Sequence, residues 1–89
     1  MKINVKYKEI EGGFEYRLDL PYLNKDLINV ELKDRYVCIS YNNEDDTRRT
    51  KFNYAFAPHF TTNKGEATYE DGWLVIKLYY KNYKKIDVT

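Results

Sequence analysis

Cysteine occurs once in the 89 residues, at Cys38. No internal disulfide is possible, and a reducing, cytoplasmic setting is expected. No apolar run approaches the roughly 20 residues that span a bilayer. The start, Met1 to Lys6, alternates apolar and polar residues and lacks the apolar stretch of a signal peptide. Neither charge sign dominates: the net charge is +1. No strong field exists to attract nucleic acid or an anionic membrane, so neither is an expected partner. Histidine also occurs once, at His59, with no second histidine, thiol or carboxylate cluster at ligand spacing. No metal site and no catalytic Cys–His pair are expected. Glu44, Asp45 and Asp46 lack the central glycine and final glutamate of a calcium loop. Gly12 and Gly13 are not followed by the Gly-Lys-Ser/Thr of a phosphate loop. No grouping supplies nucleophile, base and oxyanion donors, so the reading is no enzyme and no cofactor. Finally, no helical period of useful length appears.

What the chain has is alternation and aromatic rings. Aromatic residues make up 17%, including ten tyrosines, and tyrosine suits half-buried strand faces and interfaces. Ile3, Val5 and Tyr7 alternate with polar residues as a first strand. Gly12 and Gly13 read as a hairpin turn into Phe14, Tyr16, Leu18 and Leu20, with Glu15, Arg17 and Asp19 on a wet face. Pro21 stops that strand. A connection with one helical turn leads to Ile28, Val30 and Leu32. Asp34 and Arg35 then turn into Tyr36 to Tyr41, a strand apolar at nearly every position and expected to be covered on both faces. Cys38 in its middle reads as a buried small hydrophobe. A polar segment, Asn42 to Lys51, precedes Phe52, Tyr54 and Phe56, and Pro58 ends that run. Thr61 to Gly65 reads as a loop. Asp71 and Gly72 form a structural hairpin turn, followed by Leu74, Ile76 and Leu78 as an inward face. Trp73 is expected on the opposite face, partly exposed. The pattern predicts an all-β, antiparallel, immunoglobulin-like sandwich in one small domain. A core of this size is marginal, and self-association would help it.

The order of these signals resembles the α-crystallin domain of small heat-shock proteins. Tyr16 to Pro21 looks like the family's early strand ending in Leu-Pro, although Tyr22 stands where the family usually has glycine. Phe52 to Pro58 resembles its Phe-rich strand, and Ala67 to Leu78 carries its Ala and Gly-x-Leu pattern. Ile86, Asp87 and Val88 resemble its C-terminal Ile-x-Ile/Val motif. Residues at i and i+2 of an extended segment point the same way, so two branched side chains can fill adjacent pockets.

The resemblance implies a division into a sandwich over residues 1–80 and a C-terminal extension over 81–89. It implies an ATP-independent chaperone that holds unfolding clients against aggregation. Its partners would be further copies of the chain, as a dimer or larger homo-oligomer, and the clients. Ile86 and Val88 would be the subunit-docking residues. An apolar groove on a neighbouring subunit, formed by Ile28, Val30, Leu32, Ala67 and Tyr69, would receive them.

Strand signals begin at Ile3, so the family's long N-terminal arm is expected to be absent. Asn42 to Lys51 is too short to carry a swapped strand at about 3.3 Å per residue. Pairing of edge strands through Thr47, Arg49 and Lys51 is the expected dimer contact. The alternative is a non-chaperone interaction module resembling CS-type co-chaperone domains. A further reading places Arg48, Arg49, Lys51, Lys81, Lys84 and Lys85, with Tyr79, Tyr80 and Tyr83, on one nucleic-acid surface; edge protection by cations is favoured over it.

Overall fold

Period-two alternation of apolar side chains builds the strands that carry the core. The computed structural model describes residues 3–89. The strands are β1 (Val5–Ile10), β2 (Gly13–Asp19), β3 (Ile28–Lys33), β4 (Tyr36–Asn42), β5 (Lys51–Phe56), β6 (Thr62–Glu70) and β7 (Trp73–Tyr80). A single 3-10 turn, Lys25–Leu27, precedes β3. It is capped by Asn24, whose side chain accepts from the Asp26 N–H at 3.0 Å.

Four strands form one antiparallel sheet in the order β1-β2-β7-β6, and three form the other in the order β3-β4-β5. Each sheet turns one face inward. Tyr16, Leu18 and Leu20, Val37 and Ile39, and Leu74, Ile76 and Leu78 form the shared core. Leu18 is 0% exposed; burial of such a side chain contributes about 1.5–3 kcal/mol. The all-β sandwich expected from the sequence is therefore what forms.

Asp71 and Gly72 have φ of 53° and 83°. Two positive φ values match the twist of a two-residue hairpin between β6 and β7. The same turn braces the end of β2, since the Leu20 N–H donates to the Gly72 carbonyl at 2.8 Å.

Several local expectations are corrected. The first strand starts at Val5, although Ile3 still packs on the core. The first turn is Glu11 and Gly12, because Gly13 already pairs with both Ile10 and Tyr79. Residues 62–65 are strand, not loop: β6 reaches back to Thr62, with a register shift between Thr62 and Lys64. Side-chain polarity hid this strand, whose outer edge meets water. Glu15 is only 9% exposed instead of wet. It lies mid-sheet between its register partners Lys8 and Lys77, and the Lys8 Nζ stands 3.6 Å from its carboxylate. Cys38 is half-buried because β4 alternates after all. Val37, Ile39 and Tyr41 point into the core, while Cys38 and Ser40 lie on the outer face.

Candidate functional site: the seam between the edge strands β3 and β6

The two sheets do not close along the side where β3 faces β6, because each is the edge strand of its sheet. The opening follows from residue size. Gly65, Ala67 and Tyr69 are opposite Leu78, Ile76 and Leu74 in the register with β7, so they share the inward face of β6. Gly65 has no side chain and Ala67 only a methyl group. A cavity of about 170 Å³ remains, lined by Val30, Leu32, Val37, Gly65, Ala67, Ile76 and Leu78. Glu31 and Glu66 stand on its rim. A neighbouring hollow shares Leu32 and opens towards Asp34, Arg35, His59 and Thr62.

The structure brings Val30, Leu32 and Ala67 together on this cavity. Ile28 packs on the core from the same strand but lies outside the cavity wall. Tyr69 is also off the wall, and its hydroxyl has other work. It donates to the Leu20 carbonyl at 2.6 Å and accepts from the Leu23 N–H at 3.1 Å. Together with the Tyr41 hydroxyl, which accepts from the Asn24 N–H at 2.9 Å, it fastens the connection between β2 and β3. Tyr69→Phe is expected to lower stability by roughly 1–3 kcal/mol, since both backbone partners lose their bond in a half-buried place. A urea unfolding midpoint measures this.

Val37, Gly65, Ile76 and Leu78 supply floor and wall that sequence reasoning did not assign. The signal was present as a small residue at every second position, Gly65 and Ala67, but only once 62–65 is read as strand.

The Glu31 carboxylate is held below the usual carboxylate range by its hydrogen bond from Asn29, aided by Lys33. On the opposite flank of the fold, the Tyr16 phenol is pushed up chiefly by burial, with Tyr7 and Tyr80 adding to the effect. Tyr79 is pushed up first by its hydrogen bond to Glu66, and Tyr80 first by burial and then by its bond to Glu9.

Ile86 and Val88 are 84% and 95% exposed. No strand follows Tyr80, and the radius of gyration, 14.8 Å, exceeds the roughly 12 Å of a compact chain of this length. The tail thus extends from the sandwich and touches none of the cavity wall. The residues expected to form a dimer contact are divided. Lys51 opens the edge strand β5, but Thr47 and Arg49 stand in the preceding turn, where Arg49 has a φ of 48°. The basic residues considered for nucleic acid do not share a patch either. Arg48, Arg49 and Lys51 lie where β4 ends and β5 begins. Lys81, Lys84 and Lys85 follow β7, at the end of the fold where β4 starts. Arg48 packs over the Tyr22 ring at 5.9 Å. Trp73 lies partly exposed on the outer face, as expected, beneath Arg17 at 5.2 Å and Lys6 at 5.9 Å. His59 is exposed and stands edge-on to the Tyr7 ring. Among the described residues no group of three or more His, Cys, Asp or Glu is placed to hold a metal ion. No helix among them is long and apolar enough to cross a membrane.

No family model and no curated protein matches the chain. Solved structures do. A point mutant of hsp14.1 from Sulfolobus solfataricus superposes with a TM-score of 0.78 at 21% identity, over 97% of this chain and 77% of that one. Heat shock protein 16.0 from Schizosaccharomyces pombe gives a TM-score of 0.71 at 16% identity, over 100% and 99%. A small heat-shock protein from Xylella fastidiosa gives 0.73 at 19% identity, over 100% and 97%. The chain therefore has the β-sandwich fold of the small heat-shock proteins.

Proposed function

We propose that the chain is a non-enzymatic, ATP-independent chaperone-type domain that associates with further copies of itself in the cytoplasm and holds unfolding clients. The observation that carries this reading is the unfilled apolar seam between β3 and β6 in a chain whose own Ile86 and Val88 are solvent-exposed. A groove of this kind accepts an extended segment. Side chains at every second position enter it, while the backbone groups of two edge strands stay within reach. The tail of a second copy fills it in the resting state, and an extended apolar stretch of a client competes for it. Residues 1–80 form the groove-bearing sandwich and 81–89 the docking extension. The likeness to small heat-shock proteins supports the reading; the Xylella fastidiosa protein is described as having a distinct high-order structure.

A protein that binds only the unfolding form lowers the concentration free to aggregate, with no need for nucleotide. Light scattering from a heat-aggregating client, without ATP and at several molar ratios, tests this. The expected result is suppression near equimolar ratio. Unchanged scattering from a folded protein would overturn the chaperone reading in favour of a single-partner interaction module.

A further inference from the structure

We propose that Tyr83, seated on Gly12, is a clamp that aims the tail at a second copy by keeping it out of the chain's own groove. The inference rests on the docking reading above. The tail does not leave β7 freely. Tyr83 donates its N–H to the Tyr80 carbonyl at 3.2 Å, and Asn82 between them has a φ of 65°. This turn carries the ring across the β1–β2 hairpin. A Cβ built on Gly12 would stand 3.0 Å from the Tyr83 ring, so the absence of a side chain there makes the seat. The ring ends an aromatic row. Phe14 stacks on Phe60 at 5.4 Å, Phe60 meets Tyr80 at 4.9 Å, and Tyr80 meets Tyr83 at 6.4 Å. Lys85 then pairs with Glu11 at 3.3 Å. Both side chains of that pair are 68% exposed, so the ring does most of the holding.

The position of the clamp decides what the tail can reach. In the order β1-β2-β7-β6, the clamp sits over the β2 side of β7 and the groove lies beyond β6. Two strand spacings separate them, about 10 Å, and Gly65, opposite Leu78, lies about 10 Å back along the ladder from the level of Lys81. The straight path is thus about 14 Å. Ile86 is three residues beyond Tyr83 and reaches about 10 Å at full extension. The clamped tail falls short of its own groove. Without the clamp, the last fixed point is Lys81, whose N–H donates to the Thr61 carbonyl at 3.0 Å beside β6. Five residues then reach about 17 Å, against a path of about 11 Å. The released tail can dock on its own chain, at the millimolar effective concentration of a short tether.

The test uses a synthetic peptide of residues 81–89 and the fluorescently labelled full chain, diluted until it is monomeric. Peptide affinity is compared for the wild type, Tyr83→Phe, Tyr83→Ala and the double variant Ile86→Ala/Val88→Ala. Wild type, Tyr83→Phe and the double variant should bind the peptide equally, because their grooves are open. Tyr83→Ala should bind it at least tenfold more weakly, because its own tail competes. Adding Ile86→Ala/Val88→Ala to Tyr83→Ala should restore the affinity, which also shows that the variant is folded. Equal binding by all variants would overturn the clamp and leave docking standing. No binding by any of them would overturn docking itself.

Discussion

Replacing Gly13 with alanine is expected to remove most of the folded population. The reason is not backbone freedom, since Gly13 does not have a positive φ. Gly13 opens β2 at the point where the strand lies against β7, opposite Tyr79. A Cβ added there would stand 1.9 Å from the Leu78 carbonyl oxygen and 2.9 Å from the Tyr79 Cα. Both atoms are backbone, so no rotamer change relieves the clash. Either β2 leaves β7 at this end or the ladder between them shifts. A shift by one residue would carry Tyr16 and Leu18 out of the core. We expect a loss of roughly 3 kcal/mol or more, a large part of the stability of so small a domain. Glu11→Ala, in the same hairpin but exposed, serves as the control and should change stability by at most about 0.5 kcal/mol. Urea unfolding followed by Trp73 fluorescence measures both. Equal midpoints for Gly13→Ala and the wild type would contradict the packing described for this end of the fold.

Replacing Ile86 and Val88 together with alanine is expected to leave folding intact and to weaken self-association on the order of 10³-fold. Exposure of 84% and 95% means that the sandwich loses no packing. In the groove, each side chain would be buried among Val30, Leu32, Ile76 and Leu78, and truncation would forfeit about 2 kcal/mol apiece. About 4 kcal/mol corresponds to that factor. Charge favours the same pairing: Lys84 precedes the motif, and Glu31 and Glu66 rim the cavity. Native mass over a dilution series, with urea unfolding alongside, checks the expectation. A mass unchanged by the double substitution would remove the docking role of the tail.

Most of the fold was legible because one face of each strand is dry. The alternation of Tyr16, Leu18 and Leu20, or of Leu74, Ile76 and Leu78, states which side is buried. The Asp71–Gly72 turn was equally plain, since its positive φ values suit those two residue types. The start of β6 was not legible, because an edge strand facing water carries Thr62, Asn63 and Lys64 like a loop. That misreading also concealed Gly65, whose missing side chain opens the groove. Val30, Leu32 and Ala67 were assigned to one groove through family resemblance rather than through spacing, and they line one cavity. Tyr69 was assigned to the groove by the same resemblance, but a phenol needs polar partners, and its hydroxyl finds them at Leu20 and Leu23. The seat of Tyr83 on Gly12 joins residues 71 positions apart, which no local pattern reveals.

The central claim is that the seam between β3 and β6 receives the tail of another copy. Its most direct test is titration of the peptide 81–89 into the isotope-labelled Ile86→Ala/Val88→Ala chain, followed by amide NMR shifts. Saturable shifts concentrated at Val30, Leu32, Gly65 and Ala67 are expected, with Lys51 to Phe56 on the far edge unmoved. Shifts centred on β5 instead, or none at millimolar peptide, would contradict it.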